Sequence, residues 1–246
     1  MYNYAAAIAG FLQRLQLNPH INFTANEFNI QHFDTDQEGL EGFAEFLAKK
    51  YGEPFPLPAE DRQLVGLPRQ FDIAWESTPG LPLAAGRIDF VCGCLNLRAL
   101  STAFAEPSYD DLDDYPASLL DEMPLLRIGT IFDGGSRANT TTYLTYLLYD
   151  PATRQYQGLA VKYGLRILPL PLSIGEYVRA ALAWHGGWGW HFLYLAPDDF
   201  YSLDGSTLLT LYDLRDGLPE LFPDADWSII DTKREYFEYA RQFVRS

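Results

Sequence analysis

The chain has 246 residues, 48% of them hydrophobic and 21% charged, a balance that supports a folded core and excludes a disordered polyelectrolyte. Its formal net charge is −15, which disfavours nucleic acid and anionic membranes because phosphate would be repelled before contact, favours solubility, and permits fast association with a basic partner.

Residues 4–17 place Ala5, Ile8, Phe11, Leu12 and Leu15 on one face, predicting an amphipathic helix. A polar stretch follows. Helical spacing resumes at Leu40, Phe43, Ala44, Leu47 and Tyr51, with Asp36 as N-cap and Gly52 as stop. The prolines Pro54, Pro56 and Pro58 force extended backbone. Pro68 is expected to open a short helix through Trp75 that Pro79-Gly80 ends. "GRIDFVCGCLNL" reads as a strand with Ile88, Phe90 and Cys92 on one face. Cys92 and Cys94 share a strand face but sit too close along the chain for an ordinary disulfide; two reduced, buried thiols are expected.

Residues 106–122 hold seven acids and no base, predicting a surface loop or short helix. Strands are then expected at 125–132, 140–149 and 154–163, with Asp150-Pro151 as the corner of an antiparallel pair. "IFDGGSRAN" matches neither phosphate-binding glycine motif, so Asp133 and Arg137 read first as parts of a hairpin turn. Ser173 followed by Glu176 marks a capped helix with the stripe Ile174, Tyr177, Val178, Ala181 and Leu182. "FYSLDGSTLLTLY" reads as a hairpin, 213–226 as a loop, and 233–244 as a last helix carrying Tyr236, Phe237, Ala240 and Val244 on one side. The partition expected is a single α+β domain, its mostly antiparallel sheet flanked by helices.

The densest chemistry is "AWHGGWGWHF" (183–192), with three Trp and two of the four His. His185 continues the preceding helical stripe, Gly186-Gly187 are expected to form a left-handed cap, and "WGWHFLYL" alternates as an interior strand. On such a strand His185 and His191 lie about 20 Å apart, too far to share a metal. No metal or cofactor is expected. Trp188, Trp190 and His191 are the alternative candidates, as a cleft for a small molecule or sugar or part of an unrecognised active site. The acids Asp110, Asp111, Asp113 and Asp114 lack the calcium-loop pattern and suit a docking patch for a basic protein. No nucleophile-elbow or zinc-protease motif occurs. The N-terminus has no basic, signal-like region and no apolar run reaches membrane-spanning length, so a cytoplasmic protein is expected.

Four pieces in order, "KKYGEPFPLPAED", "GLPRQFDIAWESTPG", "LLRIGTIFDGGSRANTTTYLTYLLYD" and "LPLPLSIGEYVRAAL", resemble the SUKH superfamily of bacterial immunity-like proteins over residues 38–185. The chain departs from it in an extra N-terminal helix, in Thr78-Pro79-Gly80 where the family often has Asn-Gly, and in its last sixty residues or so. The resemblance implies an α+β fold around a mostly antiparallel sheet. It also implies a binding protein without catalytic activity, which neutralises a toxin by covering its active site.

Overall fold

The computed structural model describes residues 2–26, 64, 70–98, 130–133, 144–150 and 155–244. The fold is α+β. Among these residues seven strands form one antiparallel sheet in chain order: β1 (Ile21–Asn26), β2 (Gln70–Ser77), β3 (Cys92–Arg98), β4 (Thr130–Asp133), β5 (Thr145–Asp150), β6 (Gln155–Tyr163) and β7 (Arg166–Leu170). Strands β5 and β6 pair antiparallel, as expected, with Asp150 opposite Gln155. The helix expected over 36–52 and the loop 106–122 lie outside the described residues.

Helix α1 (Tyr4–Leu17) opens on Asn3, whose side chain accepts from the Ala6 N–H, and buries Ile8, Phe11, Leu12 and Leu15 as its spacing requires. Helix α2 (Ile174–Ala183) has the predicted capping box: Ser173 Oγ accepts from the Glu176 N–H and the Glu176 carboxylate accepts from the Ser173 N–H. All five residues of its expected stripe are buried. The buried residues of both helices share one core cluster with Ile73 and Trp75 of β2, Leu95 and Leu97 of β3, and Leu168 and Leu170 of β7. Burying each such side chain stabilises the fold by roughly 1.5–3 kcal/mol. Tyr146, Leu148 and Ala160 form a smaller buried cluster.

Three expectations are corrected here. The helix expected from Pro68 through Trp75 is strand β2, whose Ile73, Trp75 and Ser77 are buried while Ala74 and Glu76 are half-buried; that period of two outweighs the proline as a helix start. The strand expected from Gly86 begins only at Cys92. Ahead of it a 3₁₀ turn, Ala84–Gly86, with left-handed Ala84, Ala85 and Gly86, returns the chain so that Ile88 bridges Leu83. Phe90 is 44% exposed, so it does not share the buried face of Ile88.

The third correction is the largest. The hairpin expected over 200–212 and the first part of the loop expected over 213–226 are helices, α3 (Pro197–Tyr201) and α4 (Gly205–Leu221), and only 222–226 is loop. Asp204 caps α4 by accepting from the Ser206 and Thr207 N–H groups. Leu208, Leu211, Leu214, Leu218 and Leu221 recur at three- and four-residue spacing and are all buried, so the helix holds despite Gly217 and Pro219. Gly217 is a contact point, since a Cβ there would stand 2.6 Å from a Val91 methyl. Helices α5 (Ser228–Thr232) and α6 (Arg234–Ala240) follow, with Phe237 and Ala240 buried as expected.

Candidate functional site

The aromatic segment after α2 is a packing device. Helix α2 ends at Ala183, and the left-handed turn falls on His185 (φ 53°) and Gly186 (φ 63°) rather than on the two glycines. Among the described residues β4 pairs with β3 at Leu97 opposite Asp133, and the Cys92–Cys94 end of β3 is hydrogen-bonded by residues 186–188. There the Cys94 N–H donates to the Gly186 carbonyl at 2.8 Å and the Trp188 N–H to the Cys92 carbonyl at 2.9 Å. A Cβ on Gly186 would stand 2.6 Å from the Cys94 carbonyl oxygen, and one on Gly93 2.5 Å from the Trp75 indole. The Trp75 indole N–H donates to the His185 carbonyl at 2.7 Å. Both glycines are therefore required by close approach.

Beyond Gly189 the backbone is a 3₁₀ helix, Trp190–Tyr194, not the interior strand expected from alternation. Burial on both faces was rightly expected, but aromatic residues that are apolar all round satisfy a buried helical turn equally well. Trp190 is 0% and His191 5% exposed, so neither offers a face to a ligand. His191 Nε2 lies 3.0 Å from the Tyr177 hydroxyl, which lies 3.0 Å from Thr145 Oγ1, a polar chain running from helix to sheet inside the core. Trp188 alone of the three is half-buried, and it lines a recess of about 250 Å³ with Phe90, Cys92 and Asp213.

His185 is 2% exposed, its ring stacked on Phe222 at 4.1 Å and tilted against Trp227 at 5.3 Å. Burial, with Arg14 nearby adding repulsion, pushes its pKa down to about 4. The neutral ring places Nδ1 3.2 Å from the Ala183 carbonyl. Burial and then the Glu76 carboxylate push the Cys92 thiol up to about 11, so it is no activated nucleophile. Both cysteines are free thiols, Cys94 buried and Cys92 half-buried. Among the described residues no three His, Cys, Asp or Glu converge as metal ligands.

Asp110, Asp111, Asp113, Asp114 and Arg137 lie outside the described residues. The acidic surface within them was missed by sequence reasoning. Residues 197–226 carry eight acids and a single base, Arg215, a bias visible in the sequence once α4 is recognised. Asp213, Asp216 and Glu220 recur at helical spacing on α4. Arg87 pairs with Asp213 and Asp216, and the Glu220 carboxylate accepts from the Ala84 N–H at 2.8 Å, so this face also clamps the 84–87 turn. Burial pushes the Asp213 carboxyl up while Arg87 pulls against it. Asp198, Glu220, Asp224 and Asp226 remain exposed.

Comparison of the chain with protein families, with curated proteins and with solved structures returns no match. No helix among the described residues is long and apolar enough to cross a membrane.

Proposed function

We propose that the chain is a non-catalytic binding protein that neutralises a basic toxin domain, as the SUKH-like order of motifs implies, and that it does so in the bacterial cytoplasm. The observation that carries this reading is the acidic bias of residues 197–226, on a chain of net charge −15. A toxin domain that handles a phosphate backbone presents basic side chains, and an acidic face competes for them while steering the encounter. Asp110, Asp111, Asp113 and Asp114, from the base-free acidic run of 106–122, are proposed to contribute to binding as well. The antiparallel α+β build agrees with what the resemblance implies. An aromatic ligand cleft at Trp188, Trp190 and His191 is not carried forward, because Trp190 and His191 are core residues.

The test is co-expression with a toxic domain encoded beside its gene. Restored growth and co-purification of the two chains in equal amounts are expected. A chain that neither protects nor co-purifies, or a gene with no toxic domain beside it, overturns the reading.

A further inference from the structure

The C-terminal ends of α1 and α4 converge on a recess of about 540 Å³, a volume ordinary for small-ligand sites. Its walls are fixed to each other. Asn18 Nδ2 donates to the Leu221 carbonyl at 2.5 Å, and the Trp227 indole N–H donates to the Phe222 carbonyl at 3.0 Å. Phe222, at the floor, stacks on His185 and meets the edge of Trp75.

Arg14 lines this recess from α1, and Asp224 from the turn after α4. Neither forms a hydrogen bond or ion pair within the described residues, with the other or with a third group. Opposite charges that share one recess without closing on each other suit a ligand that carries both. Leu17, also lining the recess, is 72% exposed, which leaves apolar surface for the rest of such a ligand to cover. The negative carbonyl ends of α1 and α4 add to the acidic side and favour an ammonium there. An anion has Arg14.

We propose that this recess binds a zwitterion, an amino acid or short peptide with an apolar side chain, its carboxylate on Arg14 and its ammonium toward Asp224. The recess shares Asp224 with the proposed acidic interface, but the proposal rests on the recess alone and its test involves no protein partner. The test is calorimetric titration of the full chain with L-leucine, leucyl-leucine, N-acetyl-leucine (no ammonium) and leucinamide (no carboxylate). Saturable one-to-one binding of leucine or of leucyl-leucine is expected, the tighter of the two fixing the ligand length. Each analogue lacking one charge should bind about tenfold or more weakly. Arg14→Gln should abolish the preference for leucine over leucinamide, and Asp224→Asn the preference over N-acetyl-leucine. Both residues are exposed, so the variants should melt like the parent chain. Absence of saturable binding by both zwitterions, equal binding of all four probes, or preferences untouched by the two substitutions overturns the proposal.

Discussion

The segment from Trp184 to Tyr194 and the helix pair α3–α4 that follows it use opposite kinds of residue for opposite ends. The first gathers tryptophan, histidine and glycine, and Trp184, Trp190, Phe192 and both histidines are buried. Its backbone is hydrogen-bonded to the Cys92–Cys94 end of β3. The second is built from leucine, aspartate and glycine. It buries one leucine stripe and keeps its acids off that stripe, some paired with the 84–87 turn and others, such as Asp198, exposed. The conspicuous residues solve a packing problem, where the chain must leave a helix, cross a strand at backbone distance and fill the space behind. The commonplace ones hold charge on the surface, where the proposed partner would meet it.

If the first region is structural, substitutions there should act on stability. Gly186→Ala puts a methyl against the Cys94 backbone at a left-handed φ; about 3–5 kcal/mol of unfolding free energy should be lost in a denaturant melt. A loss below about 1 kcal/mol would mean that 186–188 are not held on β3.

Acid should act next most strongly. His185 falls from 6.5 to about 4 on folding, so between those values the unfolded chain binds more protons and stability rises with pH. As pH drops from 6.5 through 4, up to about 3 kcal/mol should be lost. His185→Asn, which tolerates the left-handed backbone, should flatten that slope; an unchanged slope would place the titration elsewhere.

Tyr177→Phe removes the hydroxyl between Thr145 and His191 and should cost about 1–3 kcal/mol. Smallest on stability should be Asp198→Asn, on the exposed acidic surface, within about 0.5 kcal/mol of the parent. A large loss there would make the acidic face structural and erase the contrast.

What was legible in the sequence follows the same physics. Helices α1 and α2 show clear stripes and caps, and β5 and β6 are divided by Asp150-Pro151, so local pattern sufficed. Strands β1 and β7 were not legible. "INFTAN" is polar, and "RILPL" carries Pro169 within its pattern. Helix α4 was hidden by its Asp, Gly and Pro, although its leucines keep helical spacing from 208 to 221. The turn at His185 and the docking of 186–188 on β3 depend on contacts some ninety residues away in sequence, which no local pattern encodes. The acidic bias of 197–226 was in plain sight, but read as loop and hairpin it suggested no coherent surface.

The central claim, that acidic surface and not the aromatic segment meets the partner, is tested most directly by association rates. The parent chain and the variant with Asp198 and Asp224, together with Asp110, Asp111, Asp113 and Asp114, replaced by Asn would be mixed with the co-purifying basic domain in stopped flow at low and high salt. The account predicts that the parent rate falls steeply with salt, and that the variant associates more slowly with a flatter salt dependence. Equal rates for the two chains at every salt concentration would contradict it.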